Sequence, residues 1–526
     1  MSYFSTIAID DCYSAACQTG RYAELVDYLC TEIELNADYH QAYYLMGLCM
    51  AKLGNFLAAL ECFDKAILLA PNRAEYFGGR ANTLAEICRY ADAIADFDHA
   101  ISLNPIYAEA YNYRGNALLA LGDISEAIKS FDESIALNGG SPAAFLNRGN
   151  ALLQRGFFDL AIASYDRAIA LQPHYPMAYS NRSAAFKNMH MLRESLISSD
   201  QAIEQDPNYI DAQWNKSLTL LLAGDLKSGF RGYLVRWQTD LFKPVLRHME
   251  QTLWLGDEPI CGKRLFVHNE QGLGDSLQFC RFVTQAAQAG AKVIYEVEPT
   301  LFDLMKTLDG VDVLLRQGDS LPTFDFYCPV MSLPVALGTA LENLPTKVPY
   351  LQADTRKCAQ WARRLKPRHG GLRVGLVWSG SPTHKADSQR SMGLTELMQA
   401  LPPQMSYVSL QKELRDADQS ALALWPQIQH FGREIVDFSD TAALCALMDI
   451  VISVDTSVAH LAGSLGIRTW VLLPHFPDWR WMLERNDSPW YPTMRLFRQK
   501  TAGDWAPVMA SIHEQLLSIA PKSNSA

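Results

Sequence analysis

The chain has 526 residues, of which 49% are hydrophobic and 20% charged, and this balance favours several globular domains, each with its own core. The formal net charge of −11 argues against a nucleic-acid partner, because phosphate binding needs an excess of Lys and Arg. The first ten residues lack a basic stretch followed by an apolar core, and no apolar run is long enough to span a bilayer. Together with eleven cysteines that form no CxxC pair, these features predict a cytoplasmic protein with no membrane span and no metal site.

The first half of the chain repeats with a period of 34 residues. Pro71 and Pro105 are one period apart, as are Pro173 and Pro207. Small residues on this step would let two antiparallel helices approach closely, aromatic residues would fill the space between hairpins, and each Pro would end a hairpin. The columns that keep the step are Ala59, Ala93, Ala127 and Ala161; Phe63, Phe97, Phe131 and Tyr165; and Tyr43, Phe77, Tyr111, Phe145 and Tyr179.

This pattern resembles the tetratricopeptide repeat, with five units over residues 40–209. A degenerate unit at residues 11–39 precedes them, and residues 210–237 are expected to form a closing cap, so that the α-helical solenoid spans residues 1–237. Asparagines recur on one helix face in two columns three residues apart. In proteins of this family that face often lines a concave surface, which predicts binding of an extended protein or peptide; a solvated face, or amides bonded between hairpins, is the alternative. These residues are Asn82, Asn116 and Asn150 in one column and Asn147 and Asn181 in the other.

After Trp237 the periodicity ends. Residues 238–262 are expected to be a linker with a short apolar anchor, and strands then alternate with glycine turns and helices, which predicts parallel α/β sheets. We expect two Rossmann-like domains, residues 263–353 and 354–526, with a cleft at the carboxyl ends of their strands. Neither contains GxGxxG, so NAD is not expected. The predicted strands are residues 264–268, 293–297, 311–315, 324–328, 373–378, 407–410, 449–453 and 469–473.

The most informative segment is the turn that follows the strand at residues 449–453. Thr456 and Ser457 place hydroxyl and backbone N–H groups at a helix N-terminus, an arrangement that binds phosphate. Asp455 would orient this turn or hold a ribose. Helix capping by the same residues is the alternative interpretation.

This segment resembles the nucleotide-sugar motif of the heptosyltransferase family in Asp455, Thr456, His460 and Gly463, with Ser457 at a position where that family usually has Gly. The segment from Gly274 and Asp275 to Leu277, which follows the binding candidate Gly272, resembles that family's N-terminal loop with its proposed catalytic base. The segment Trp378, Ser379 and Gly380 with Arg390 resembles its phosphate-binding segment. The fusion of repeats to a two-domain transferase is similar to the O-GlcNAc transferases, which glycosylate proteins.

The resemblance implies a GT-B fold and an inverting, metal-independent glycosyltransferase that uses a nucleotide sugar as substrate and no cofactor. Asp275 would be the catalytic base, with helix capping as the alternative. The turn from Asp455 to His460, together with Arg390 and Lys385, would neutralise the charge that grows on the departing diphosphate; the alternatives are a solvated loop charge for Arg390 and a core histidine for His460.

Several expectations stay open beside this one. Trp378 and Gln411 would contact the nucleotide. The aromatic stretch at residues 477–492 would either close over the cleft or pack in the core. The alternative functions are a tetratricopeptide scaffold with an inactive transferase fold and a nucleotide-sugar epimerase. The protein acceptor would be selected by the repeats.

Overall fold

The computed structural model describes Phe4 and residues 8–243, 247, 249–368, 371–384 and 387–519. The chain forms two compact units, Met1–Ala212 and Gln213–Ala526. In its described part, no helix is long and apolar enough to cross a membrane.

The first unit is a series of antiparallel helix pairs, which confirms the predicted helical solenoid. A left-handed residue closes each of five hairpins at the 34-residue step: Gly54, Gly122 and Gly156 (φ 78°, 84° and 83°), with Cys88 and His190 (φ 61° and 60°) in the other two. Its helices are α1 (Ile9–Thr19), α2 (Tyr22–Leu35), α3 (His40–Lys52), α4 (Phe56–Leu69), α5 (Ala74–Glu86), α6 (Tyr90–Leu103), α7 (Ala108–Ala120), α8 (Ile124–Leu137), α9 (Pro142–Arg155), α10 (Phe158–Leu171), α11 (Pro176–Asn188) and α12 (Leu192–Gln205).

Small residues bring the two helices of a hairpin together, as the sequence predicted. A Cβ atom added at Gly115 would lie 2.5 Å from the ring of Phe131, and one added at Gly149 would lie 2.5 Å from the ring of Tyr165. Real Cβ contacts are never this short, so these positions exclude any larger residue without a shift of the ring.

A column of arginines, which was not predicted from the sequence, also joins the hairpins. Each arginine bonds an aspartate 16 residues earlier and a polar side chain 16 residues later, on the second helices of two adjacent hairpins. Because the same bonds recur at every step, they fix the stacking of each hairpin on the previous one. The arginines are Arg80 (bonded to Asp64 and Asp96), Arg114 (Asp98 and Ser130), Arg148 (Asp132 and Ser164) and Arg182 (Asp166 and Ser198).

The second unit begins earlier than the predicted end of the solenoid at Trp237. Helix α13 (Ile210–Ala223) reaches into it, and α14 (Leu226–Tyr233) and a 3-10 turn (Leu234–Gln238) belong to it. The reason is packing: the ring of Phe230 contacts those of Phe279 and Trp479, 6.0 and 5.7 Å between centroids. The expected closing cap of the repeats is therefore part of the α/β unit.

The first sheet of this unit is parallel, in the order β1-β5-β2-β3-β4. Strand β1 lies in the predicted linker at residues 238–262, where Leu253 pairs with Tyr327 of β5; the apolar anchor is thus an edge strand, and residues 238–262 are not wholly a linker. The helical segment that follows the glycine turn is divided at Cys280 into two short helices. The elements are β1 (Thr252–Leu253), β2 (Arg264–His268), α15 (Leu273–Phe279), α16 (Arg281–Gln288), β3 (Lys292–Val297), α17 (Phe302–Met305), β4 (Val313–Arg316), β5 (Phe326–Pro329) and α18 (Leu333–Ala336).

The second sheet has six parallel strands in the order β11-β10-β9-β6-β7-β8. Counted from β6, this is the order 3-2-1-4-5-6 of doubly wound nucleotide-binding sheets. Strands β8 and β11 were not predicted. The elements are α19 (Thr355–Arg364), β6 (Arg373–Val377), α20 (Asp387–Arg390), α21 (Leu394–Ala400), β7 (Ser406–Ser409), α22 (Asp416–Leu422), β8 (Gln429–His430), α23 (Phe438–Ala446), β9 (Ile450–Val454), α24 (Ser457–Ser464), β10 (Thr469–Leu473), β11 (Met494–Arg498) and α25 (Ala506–Ile519).

Candidate functional site

The strand order of the second sheet reverses between β6 and β9, which are hydrogen-bonded neighbours. Ligands of open α/β sheets bind at such a switch point, beyond the carboxyl ends of the strands. Strand β6 leads into Ser379 and Gly380, and β9 leads into Asp455. Arg390 joins the two turns, because its Nη1 donates to the carbonyl oxygen of Asp455 at 2.9 Å. The two turns, which are far apart in the sequence, therefore meet.

Gly380 lets the Arg390 guanidinium lie against the backbone. A Cβ atom at this position would come within 2.5 Å of Arg390 Nη2. The side chain of any other residue would displace the guanidinium from the switch point, so the glycine is a steric requirement of this arrangement.

The turn after β9 opens helix α24. Thr456 is extended (φ −143°, ψ 170°) and its side chain makes no capping hydrogen bond; its hydroxyl lies 3.1 Å from that of Ser453. Ser457 is the first helical residue. The first N–H groups of a helix have no intrahelical acceptor, so this turn retains backbone donors for an anion.

Two further side chains of this site, Asp387 and Arg415, were not identified from the sequence. Asp387 is buried, accepts from Ser391 Oγ at 2.7 Å and forms an ion pair with Arg415. Ser391 Oγ also accepts from Gly380 N at 3.0 Å. Among the described residues, Arg390 Nε, Arg415 Nε and Gln411 Oε1 are buried polar atoms without a hydrogen-bond partner. A polar ligand that forms hydrogen bonds with such atoms gains more binding free energy than it would elsewhere on the surface.

The first sheet contributes Asp275 through helix α15. Its Oδ2 accepts from Gly272 N at 2.9 Å, which is the bond of a helix N-terminal cap and supports the alternative interpretation of this residue. A Cβ atom at Gly274 would lie 3.2 Å from His460 Cδ2 and 3.5 Å from Ser457 Cα. Helix α15 thus packs on α24 at their N-terminal ends, and Asp275 lies beside the turn after β9.

Burial changes the charge states in this site. It raises the pKa of Asp455 to about 6, and the nearby carboxylate of Asp478 adds to the effect. Burial likewise raises the pKa of Asp275, against the opposing effect of Arg480. It lowers the pKa of His460 well below the ordinary value. A polar site that holds carboxylates of raised pKa at a switch point is typical of ligand-binding centres.

The structure places His460 in the core. The imidazole is buried, lies 3.0 Å from Tyr491 OH through Nδ1 and stacks on Trp481 at 5.3 Å between centroids. Desolvation lowers the pKa of this imidazole and so favours its neutral form. These contacts match the alternative interpretation, a histidine satisfied within the core.

The structure also corrects the prediction for Trp378. Its indole is fully buried in the core of the second sheet's domain, so it cannot contact a nucleotide. Ser379 is buried too. Its carbonyl oxygen accepts a hydrogen bond from Gln411 Nε2 at 3.0 Å, so that Gln411 stabilises the turn after β6. Lys385 lies outside the described residues.

The asparagines of the repeats are partly buried rather than fully exposed. Asn147 Nδ2 donates to Asn112 Oδ1 at 3.1 Å. Asn150 Oδ1 accepts from Tyr165 OH at 3.0 Å and from Asn181 Nδ2 at 2.8 Å. These bonds join neighbouring helices, as the alternative interpretation held for Asn147, Asn150 and Asn181.

Asn82 and Asn116 lie one period apart in the column of Asn150 and are also partly buried. Tyr113, near Asn116 on α7, is exposed by 44%.

No group of three or more His, Cys, Asp or Glu residues that could hold a metal ion occurs in the part of the chain that the structure describes.

The pKa of Asp455 leads to a prediction for stability. Because the folded pKa is raised above that of the unfolded chain, this residue favours folding fully below pH ~4 and loses that contribution as the pH rises to about 6. We expect the melting temperature of Asp455→Asn, measured relative to that of the wild type, to rise progressively over this pH interval and to stay constant above it. Thermal denaturation at closely spaced pH values measures this; a difference that does not change with pH would contradict the assignment.

The turn after β9 gives a second prediction. Thr456→Val and Ser457→Ala should each weaken binding of a nucleoside diphosphate, since a hydrogen bond to a charged group contributes about 1.5–3 kcal/mol. Stability should change little, because the Thr456 hydroxyl makes no capping bond. Calorimetry decides, with Ser464→Ala at the other end of α24 as the control. If Thr456→Val and Ser457→Ala both bound the nucleoside diphosphate as tightly as the Ser464→Ala control and the wild type, the turn would be an ordinary helix start.

Three family models match segments of the first unit. Family models described as tetratricopeptide repeat match residues 40–73 and 79–142, and one described as TPR repeat matches residues 149–189. The segments that these models match, within residues 40–189, are tetratricopeptide repeats.

A curated relative is protein FlbA of Caulobacter vibrioides (strain ATCC 19089 / CIP 103742 / CB 15), 26% identical over 330 residues, which cover 57% of this chain and 54% of FlbA. The chain thus matches about half the length of that relative.

Solved structures that match include YrrB, described as a TPR protein with an unusual peptide-binding site (21% identity, 36% of this chain and 98% of YrrB, TM-score 0.32). Another is MamA (25% identity, 31% of this chain and 95% of MamA, TM-score 0.29).

Proposed function

We propose that the second unit is a glycosyltransferase of the GT-B type, which moves a sugar from a nucleotide-sugar donor to an acceptor hydroxyl with inversion and without a metal ion. One observation carries the proposal. The switch point of a six-stranded doubly wound sheet presents a helix N-terminus and Arg390, and a carboxylate from the other sheet, Asp275, lies beside it.

The donor belongs at the second sheet because the switch point of the first is filled by the protein itself. There Glu270 accepts two hydrogen bonds from Arg236, at 2.8 and 2.9 Å, and one from Met331 N at 3.0 Å. This ion pair is fully buried, with side chains exposed by 0% and 1%. An anionic nucleotide would have to displace the Glu270 carboxylate, whereas at the second sheet it meets Arg390 and Arg415.

The reaction follows from these positions. The acceptor hydroxyl oxygen attacks the anomeric carbon, the bond from that carbon to the diphosphate oxygen breaks, and the hydroxyl proton passes to Asp275. The N–H groups at the start of α24, with Arg390 and Arg415, stabilise the charge that grows on the departing nucleoside diphosphate. Attack opposite to the leaving group inverts the configuration of the sugar.

One observation favours a second candidate, a repeat scaffold with an inactive transferase fold. Both oxygens of Asp275 are engaged, one by Gly272 N and the other by Arg480. A carboxylate held this way can serve as a helix cap and interdomain contact alone. The two candidates differ in turnover: the scaffold binds without consuming any nucleotide sugar.

The donor-binding part of the proposal is tested by a thermal-shift screen of the full chain with nucleoside diphosphates. A ligand at a hundred times its Kd stabilises by about 2.7 kcal/mol. We expect at least one base to raise Tm, and no effect of the same ligand on Arg390→Gln. Absence of any shift across all common bases would contradict the proposal.

We further propose that the repeats select a protein acceptor. Removal of residues 1–209 should leave nucleoside diphosphate binding and slow donor hydrolysis intact, since α13 and α14 stay with the α/β unit. Transfer to the acceptor should fall sharply, because a repeat array binds extended chains through many weak contacts. Radiolabel transfer measures both. Unchanged transfer by the shortened protein would show that the repeats serve another purpose.

A further inference from the structure

Arg480 connects the two sheets at the site. It lies in the aromatic stretch at residues 477–492, which was expected either to close over the cleft or to pack in the core. Its side chain is buried, 9% exposed. Nη2 donates to Asp275 Oδ1, Nε donates to Gln278 Oε1 at 2.7 Å, and Nη1 donates to Asp478 Oδ1 at 2.8 Å. Three directions of the guanidinium are thus occupied by oxygen atoms.

The surroundings fix the guanidinium plane. Arg480 lies over the ring of Trp479, 4.3 Å from its centroid, and 5.7 Å from that of Phe279. Trp490 Nε1 donates to the Arg480 carbonyl oxygen at 2.9 Å. A guanidinium held by aromatic faces and a bonded backbone has little freedom, so it determines where the Asp275 carboxylate points.

Asp275 lies among several other charged or titratable groups. Burial raises its pKa, and the Arg480 charge is the main effect that opposes this rise. An adjacent opposite charge lowers the pKa of a carboxyl by about 1–3 units. The groups around the pair are Asp478 and Glu270, Tyr233 on α14, His384 after β6, and Asp455 and His460 at the turn after β9.

We propose that Arg480 is the positioning residue of this site: its ion pair holds the Asp275 carboxylate in place beside the turn after β9 and in the ionised form. This role rests on the proposed transferase function only in its effect on the reaction rate. The ionisation state of Asp275 is a property of the protein itself and is measurable without any substrate.

Infrared spectroscopy of the full chain tests directly whether Arg480 keeps Asp275 ionised. The spectrum of Arg480→Gln minus that of Arg480→Gln with Asp275→Asn should show the carbonyl stretch of a protonated carboxyl at pH 7. The difference spectrum of the wild type minus Asp275→Asn should lack this band. The difference spectrum of Arg480→Lys minus Arg480→Lys with Asp275→Asn should lack it too. No protonated band in Arg480→Gln would overturn the proposal, whether or not the protein is an enzyme. Circular dichroism and melting temperature verify that each variant folds.

Turnover separates positioning from simple structural support. In Arg480→Gln the acidic limb of the kcat/KM profile should move up by about one to three pH units and the rate should recover at high pH, with a smaller shift in Arg480→Lys. Arg485→Gln, which breaks an ion pair with the exposed Asp487, is the matched control with a wild-type profile. A uniform loss at all pH values would overturn the role of Arg480. Absence of turnover in the wild type would contradict the transferase proposal alone, because the infrared result stands apart from it.

Discussion

Asp275→Asn is expected to lower the rate of sugar transfer about a hundred- to ten-thousandfold, the usual effect of losing a general base. The amide keeps an oxygen for the Gly272 N–H, which Asp275 now accepts at 2.9 Å, so the start of α15 should stay in place. Nucleoside diphosphate affinity should be unchanged, since the anion binds at the second sheet. Steady-state kinetics and calorimetry on the same preparation separate the two effects.

Asp303→Asn is the control for this experiment. Asp303 is also paired with a cation, Lys306, at 2.6 Å, but its side chain is half exposed and lies on α17. Its variant should transfer sugar at the wild-type rate. Wild-type turnover in Asp275→Asn would remove Asp275 from the chemistry and leave it as the helix cap that its bond to Gly272 describes.

Arg236→Met is expected to destabilise the second unit by about 3–5 kcal/mol. Loss of one partner from a buried ion pair leaves an uncompensated buried charge, and the resulting destabilisation is typically of this size. Here the remaining group is Glu270, which is 1% exposed. Arg236 also donates to Ser332 Oγ at 2.7 Å and to Tyr233 O at 3.1 Å, so these acceptors lose a donor as well. Chemical denaturation followed by tryptophan fluorescence measures the change.

Arg89→Met provides the comparison. Arg89 and Asp92 form an ion pair at 2.6 Å with side chains 56% and 53% exposed, and exposed pairs contribute about 0–1 kcal/mol. If Arg236→Met were no more destabilising than Arg89→Met, the segment from α14 to the 3-10 turn would not be an integral part of the α/β unit.

The fold could be predicted from the sequence wherever the pattern was local. The repeats were visible in the 34-residue columns, and the strands Arg264–His268 and Thr469–Leu473 were predicted to the residue because each is a short apolar run bounded by polar or turn residues. Strand β11, Met494–Arg498, was missed because two arginines interrupt its apolar pattern and it follows a stretch rich in Trp and Pro.

The site was predicted only where turns mark it. Gly380, Asp455 and Ser457 follow strand ends, so their neighbourhood could be deduced from sheet geometry. Arg480 binds Asp275 across 205 residues of sequence, and no local signal gives such a pair. The burial of His460 and Trp378 depends on tertiary packing in the same way. The arginine column at Arg80, by contrast, was present in the sequence at the same period as the prolines and was overlooked.

Turnover of nucleotide sugars by the full-length protein tests the central claim most directly. A panel of donors that differ in base and sugar is incubated with the wild type and with Asp275→Asn, and release of nucleoside diphosphate is followed by chromatography. We expect release from one donor class by the wild type, with a product sugar of inverted anomeric configuration, and a strongly reduced release by the variant. Release by neither protein from any donor, or equal release by both, would contradict it.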